Sequence, residues 1–527
     1  MAFSDRIPAI IRLAAITGLC LLAGFSPLLT FARLWQLKEW RWDRLREHMR
    51  GFGWLRQLFG ITRPIILVLM GVPGFFSFLT TDVWIPAALS ILGALSAAQI
   101  LLKRQPAPVW TEKAMTLTGT SLLLLAAATF AIARNETASL ALPFLPLLTP
   151  FILMVAWTLW KPVDFLLKQR IMRKAARLRS QYPHLTVIGI TGSAGKTTTK
   201  ELLARVLHAR HPLLTPEHVN SEMGVAAWLL RELPKIRKDE EKILIIEMGA
   251  YRKGEIAFLC QISKPSIGVL TSVGLQHLAL FGSKEALRSA KAEIILGLPK
   301  NGHAFVNGDN EESRTVAKLA PCSVTLVGTG GHLDLEAFDI EERADGLRFR
   351  TDNEQFSVPM HGTHNVTNIL LAVAVGTYLG ISAREAAAAL KNYQPPKKTF
   401  ELREEKGVCI LDDTHNASPA SFEAAIEWAR THPAEKKILL TSGLIELGEA
   451  EEKVHTKLGA DSSLVFSDAI FTQKKSAEAF QKGFGRGVRV LKRWDSFTIP
   501  KGALLVCTGF VSPAMIKQVL PERNTNE

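Results

Sequence analysis

The densest chemistry in this 527-residue sequence lies in nine consecutive residues, Thr191, Gly192, Ser193, Ala194, Gly195, Lys196, Thr197, Thr198 and Thr199. Glycines so spaced let backbone N–H groups turn inward on an anion. A helix starting there points its positive end at the same place. Lys196 can reach a terminal phosphate, and the Thr197 hydroxyl can ligate Mg²⁺. The strict form of such a loop has glycine where Ile190 stands, so this is the shorter G-x-x-G-K-T-T form. The spacing predicts a nucleotide-phosphate site.

Other reactive groups fall at the ends of apolar runs. Glu247 closes 243–247, and His277 follows 267–271. A carboxylate and an imidazole beside a phosphate loop could hold Mg²⁺; a capping Glu and an exposed His are the alternative. Lys291 and Glu293 sit in a helical stretch whose default is a solvated face. Asn307 and Asp309 read as a turn, and His364-Asn365 as the cap of the next helix. Asp412, Asp413, Thr414, His415 and Asn416 crowd two acids, a His and an Asn at one strand end. Such crowding costs desolvation and repulsion unless the groups are used.

These positions need an α/β scaffold. From residue 185, short apolar strands alternate with helices: strands at 185–190, 243–247, 267–271, 304–307 and 324–327, helices at 200–209 and 284–298. Open sheets of this kind bind ligands at the carboxyl ends of their strands. The rhythm breaks at Tyr393-Gln394-Pro395-Pro396-Lys397-Lys398, where a linker is expected. A second α/β run follows, with strands at 408–412, 438–441, 469–472 and 503–507. Only the tail 522–527 reads as disordered.

The first third differs. Five charge-free windows, 13–32, 64–81, 83–102, 114–133 and 137–160, have bilayer length and predict about five transmembrane helices. A cleaved signal peptide is the alternative for the first, but no small-residue cleavage site follows it. Residues 1–184 hold 21 Lys/Arg against 8 Asp/Glu, and so carry +13 of the net +14. Nucleic acid is therefore not an expected partner. The basic residues gather at 33–63, 103–113 and 161–179, which puts the N-terminus outside and 161–527 in the cytoplasm. Trp35, Trp40, Trp42 and Trp54 fit an interfacial amphipathic helix, or a contact with a lipid substrate. The five cysteines show no C-x-x-C spacing, so neither a disulfide framework nor a zinc site is indicated.

Taken in order, several segments resemble the Mur ligase family of ATP-dependent amide-forming enzymes, most of all its D-alanyl-D-alanine-adding branch in peptidoglycan synthesis. They are 191–199, Asn220-Ser221-Glu222-Met223-Gly224-Val225, Glu247-Met248-Gly249-Ala250 with Gly254-Glu255-Ile256, and His277 with Phe281-Gly282-Ser283. Lys291-Ala292-Glu293-Ile294, His364-Asn365, 412–418 and Ile445-Glu446-Leu447-Gly448-Glu449 complete them. The likeness runs from about 187 to 450. Beside the transmembrane segment 1–184 that the apolar windows predict, it implies a P-loop central ATPase domain 185–395 and a Rossmann-like C-terminal domain 396–527.

By that resemblance, Gly192 to Thr198 bind the ATP phosphates, with Lys196 catalytic and Thr197 on one Mg²⁺. Glu247 and His277 serve a second metal position. His364 and Asn365 lie near the adenine, and Asp413, His415 and Asn416 approach the nucleotide when the domains close. Lys291 matches a position that some members carbamoylate. Three departures stand out. Membrane helices replace the domain that binds the UDP end of the precursor. The arginine expected after the linker is replaced by Lys398-Thr399-Phe400-Glu401, with Arg403 nearby. His415 stands where tyrosine is usual.

The expectation is a multi-pass protein of the cytoplasmic membrane, with catalytic domains inside. It would use ATP and Mg²⁺ to join a carboxylate, on a lipid-linked or nucleotide-linked cell-wall precursor, to an amino-acid or dipeptide amine through an acyl phosphate. Alternatives are a synthase of an amide-linked poly-amino-acid or other envelope polymer, and a non-catalytic ATP-binding regulatory protein of the membrane.

Overall fold

The computed structural model describes residues 3–52, 58–60, 62–75, 81–274, 278–343, 345–415, 418–491 and 497–521. They form two compact units, 1–168 and 169–527.

The first unit is helical. Among the described residues four helices are long and apolar enough to cross a membrane: Ile10–Leu37, Val83–Leu101, Glu112–Ala133 and Leu142–Arg179. The expected window 64–81 overlaps the helix Thr62–Phe75, and 76–80 lie outside the described residues. The window 137–160 is not one α-helix. Pro143 and Pro146 lack N–H donors, and the chain takes a 3₁₀ course over Leu142–Leu148 before the α-helix Thr149–Arg179.

Two tryptophans assigned to the interface instead fold inward. Trp35 is fully buried, with its ring 5.3 Å from that of Trp157, and Trp40 is buried beside it. Trp42 opens the short helix Trp42–Phe52, while Trp54 lies outside the described residues. A polar seam crosses this unit. Arg63 Nη2 donates to Ser26 Oγ at 3.0 Å, Ser96 Oγ at 3.3 Å and Gln99 Oε1 at 2.8 Å.

The second unit holds three sheets. β1 (Thr186–Thr191), β2 (Leu213–Leu214), β3 (Ile243–Glu247), β4 (Ile267–Leu270), β5 (His303–Asn307), β6 (Ser323–Gly328) and β7 (Leu335–Glu336) form a parallel sheet in the order 2-3-1-4-5-6-7. Helices cover both faces. Leu202, Leu203 and Val206 join Ile188 and Ile190 on one side, and Leu229, Leu259 and Ile294 join Val187 and Leu244 on the other. β1 connects toward β2 and its neighbour β4 toward β5, so the chain parts at the carboxyl ends of β1 and β4. Open α/β sheets place their ligands at such a parting.

β8 (Phe338–Arg343), β9 (Gly346–Arg350) and β10 (Gln355–Val358) form an antiparallel sheet that the sequence reading did not foresee. β11 (Glu401–Glu405), β12 (Val408–Asp413), β13 (Lys437–Thr441), β14 (Asp468–Phe471), β15 (Arg489–Val490) and β16 (Leu504–Thr508) form the last, in the order 11-12-16-13-14-15. It is parallel except for the antiparallel edge strand β11.

Candidate active site

The loop 191–199 leaves β1 and enters the helix Lys196–Val206, one turn earlier than the expected start near Lys200. Gly192 (φ +155°) and Gly195 (φ +79°) have backbone conformations that L side chains rarely adopt. Neither has space to spare. A Cβ on Gly192 would lie 1.9 Å from Thr271 Oγ1, and one on Gly195 would lie 2.4 Å from Asn368 Oδ1. The end of β4 clamps the loop: Ser193 N donates to Ser272 O at 2.8 Å and Ala194 N to Ser272 Oγ at 3.1 Å. The first turn of the following helix leaves N–H groups without intrahelical acceptors.

Lys196 folds back, its Nζ donating to Gly192 O at 2.8 Å and Ser193 O at 3.3 Å. Burial lowers its pKa, and Glu247 pulls in the opposite sense. Glu247, at the end of β3, is nearly buried and fully engaged. Its Oε2 accepts from Thr197 Oγ1 at 3.0 Å and lies 3.4 Å from Lys200 Nζ, while its Oε1 accepts from Asn220 Nδ2 at 3.2 Å. Burial would raise this carboxyl, but the charges of Lys196 and Lys200 and the bonds from Asn220 and Thr197 hold it below the ordinary range. Glu247 is therefore no helix cap.

Lys291 is not on a solvated face. It is 2% exposed on the helix Lys284–Leu296, and its pKa is pushed down to about 7. Burial is the main cause and Lys196 adds to it, against the pull of Glu255 and Glu293. Glu293 on the same helix accepts from Gly254 N at 2.6 Å and Ala257 N at 2.9 Å. The Lys-x-Glu pair thus divides its work. The glutamate ties down the chain after β3, and the lysine lines the cleft.

Two cavities flank the loop. One of about 920 Å³ is lined by Lys196, Thr197, Glu247, Lys291 and His415 among others. The other, about 740 Å³, is lined by Gly195, Asn307, Asp309, His364, Asn365 and Phe400 among others. Asp309 makes the expected turn, its N–H donating to Asn307 Oδ1, but also accepts from Thr367 Oγ1 at 2.6 Å. His364 occupies the N-cap position of Asn365–Tyr378 without a capping side-chain bond. Asn365 instead donates to His361 O at 2.8 Å, and its Oδ1 accepts from Asn368 Nδ2. Asp413 is buried and accepts from Phe400 N at 3.1 Å. His277 and Asn416 lie outside the described residues. Arg403 pairs with Asp412 at 2.5 Å between β11 and β12.

Lys200, Asn220 and Asn368 were missed as site residues. The sequence signal for Lys200 is its place four residues after Lys196, one helical turn along the same face. Nothing local marks Asn368, which meets the loop only through tertiary packing.

Residues 190–376 match the Mur ligase middle domain. The UDP-N-acetylmuramoyl-tripeptide–D-alanyl-D-alanine ligase of Escherichia coli K12 is 30% identical over 350 residues, which span 62% of this chain and 74% of that protein. The chain belongs to the Mur ligase family. The ligase of the same name from Bacillus subtilis is 33% identical over 302 residues, or 56% of this chain; the match spans 64% of the Bacillus protein, a little under two thirds. Among solved Mur ligases, MurF of Thermotoga maritima in complex with ADP superposes with a TM-score of 0.57 at 28% identity, covering 66% of this chain and 82% of that one. MurF of Acinetobacter baumannii has the same fold, with a TM-score of 0.60 at 24% identity over 67% of this chain and 80% of that one. The helical N-terminal region is not a homologue of the family's UDP-binding domain.

Proposed function

We propose that this Mur ligase is an ATP-dependent carboxylate–amine ligase of the MurF kind, anchored in the membrane and acting in peptidoglycan synthesis. Its working parts would be a membrane segment 1–184, an ATP-binding domain 185–395 and a C-terminal domain 396–527. The observation that carries this reading is the convergence of Lys196, Thr197, Glu247 and Lys291 on one cavity beside a glycine-shaped loop. A regulatory ATP-binding protein would have no need of a buried lysine aimed into that cleft.

ATP is the phosphoryl donor. The substrate carboxylate attacks its γ-phosphorus, ADP leaves and an acyl phosphate forms. The amine then attacks the acyl carbon, phosphate departs with its electron pair, and the nitrogen loses a proton to give the amide. Lys196 leaves its loop carbonyls and places its charge on the transferring phosphoryl group. The hydroxyl of Thr197 and the carboxylate of Glu247 are hard oxygen donors suited to Mg²⁺ and would hold it. When bound, that ion neutralises phosphate charge. Lys200 and Asn220 keep Glu247 ionised and oriented. The cavity containing His364 and Asn365 would take the nucleoside, and Asp413, His415 and Asn416 would approach the nucleotide when the domains close. Lys291, with a substantial neutral fraction near pH 7, is suited to react with CO₂ and form a carbamate.

Lys196→Ala should abolish phosphate release from ATP in the presence of carboxylate and amine substrates, in purified full-length protein. Full amide-forming activity in that variant would sink the reading.

A further inference from the structure

Glu217 and His218 lie between β2 and the helix Glu222–Glu232; His415 follows β12, nearly two hundred residues later. Folding brings the three together at the mouth of the larger cavity. We propose that Glu217, His218 and His415 form a transition-metal site, of the Zn²⁺ type, that clasps the central and C-terminal halves of the soluble unit. The proposal goes beyond the ligase reading and does not rest on it.

Geometry is the first argument. Glu217 Oε1 lies 3.5 Å from His218 Nε2 and 3.5 Å from His415 Nε2. One ligand atom from each of the three residues lies within 4.8 Å of the others. A tetrahedral ion with bonds of about 2.0–2.1 Å to nitrogen and oxygen sets its ligand atoms about 3.3–3.4 Å apart. Two edges of the triangle therefore match such a site with almost no adjustment.

Backbone conformation is the second. Val219 N donates to Pro216 O at 3.1 Å, closing a turn whose third residue is His218 at φ +64°. Glycine is the usual residue there, and an L side chain in that conformation is strained. The imidazole is held despite that strain beside the Glu217 carboxylate and 6.0 Å, ring to ring, from His415. The backbone of His415 is fixed in turn, its amide N–H donating to Lys398 O at 3.0 Å.

Donor chemistry is the third. Two imidazoles and a carboxylate select Zn²⁺ and its d-block neighbours over Mg²⁺. Thr197 and Glu247, in the same cavity, offer oxygen alone. The two donor sets would therefore sort two kinds of metal. Three protein ligands leave a fourth position for water. A plain surface pairing of histidine with glutamate is the competing explanation, and such exposed pairs are weak.

The test uses full-length protein in detergent, stripped of metal and titrated with Zn²⁺ in excess Mg²⁺, with bound metal and heat both measured. One Zn²⁺ per chain is expected, with affinity falling at least about tenfold in Glu217→Gln, His218→Ala and His415→Ala alike. Zn²⁺ should also raise the melting temperature of the parent protein and not of the variants. The three side chains are 66%, 77% and 35% exposed, so the metal-free variants should melt with the parent. Absence of stoichiometric Zn²⁺, or superimposable titrations for parent and variants, overturns the site. Loss of binding in His218→Ala but not in His415→Ala overturns the clasp.

Discussion

Lys291 shows how far burial alone can change a residue's chemistry. Its pKa is displaced from 10.5 to about 7, chiefly by desolvation. The unfolded chain therefore binds more protons than the native one between about pH 7 and pH 10.5, and stability should rise with pH across that window. Lys291→Met removes this dependence. Relative to the parent, the variant should gain stability on going from pH 9 to pH 6, by on the order of 1 kcal/mol or more, since one pKa unit is about 1.4 kcal/mol. Melting curves at the two pH values check this; equal offsets at both would refute it. At the same scale, Glu247→Ala should raise the Mg²⁺ concentration needed for half-maximal phosphate release by about tenfold or more. Protein abundance should stay near the parent's if the carboxylate is a ligand rather than a structural prop.

Among elements, the phosphate loop is defined as much by its neighbours as by its own sequence. Gly192→Ala would set a methyl group 1.9 Å from Thr271 Oγ1 and 2.9 Å from the Ser272 backbone nitrogen. The loop must shift, and a loss of about 1–3 kcal/mol in stability is expected together with loss of ADP binding. Calorimetry of ADP binding and a melting curve measure both. The strand β11 offers a second check. Arg403 neutralises Asp412, which is almost wholly buried, so Arg403→Ala should destabilise the C-terminal sheet by about 2 kcal/mol or more. An unchanged denaturation midpoint would show that Asp412 finds another partner.

On the scale of the molecule, the predictions concern the membrane. Basic segments at 33–63, 103–113 and 161–179 call for an external N-terminus. A reporter fused after Glu527 should behave as cytoplasmic, and one inserted between Arg134 and Glu136 as external. The opposite result at either site rejects that topology. If the acyl substrate is lipid-borne, full-length enzyme should turn over a lipid-linked precursor faster than free UDP-muramoyl tripeptide, because co-tethering raises effective concentration. Equal rates on the two would leave the helices as an anchor alone.

Local pattern was enough to reveal the α/β alternation, the long apolar helices and the loop around Lys196. Glycine spacing, apolar period and charge-free length are written in neighbouring residues. Glu247 and Lys291 stood out only as members of an ordered set of motifs; taken singly they read as a cap and a solvated face. Packing decided otherwise, by burying both beside Lys196. The three-stranded sheet β8–β10 escaped notice although Leu347, Phe349, Phe356 and Val358 alternate with polar residues as in any half-buried strand; its strands are only six, five and four residues long. The 3₁₀ run at Leu142–Leu148 falls at Pro143 and Pro146, whose missing N–H groups mark a break in the apolar window that is legible in the sequence. Asn368 against the loop, and His415 beside Glu217 and His218, join residues far apart in sequence. No periodicity or spacing encodes such meetings, which exist only once the sheets have fixed the ends of their strands in space.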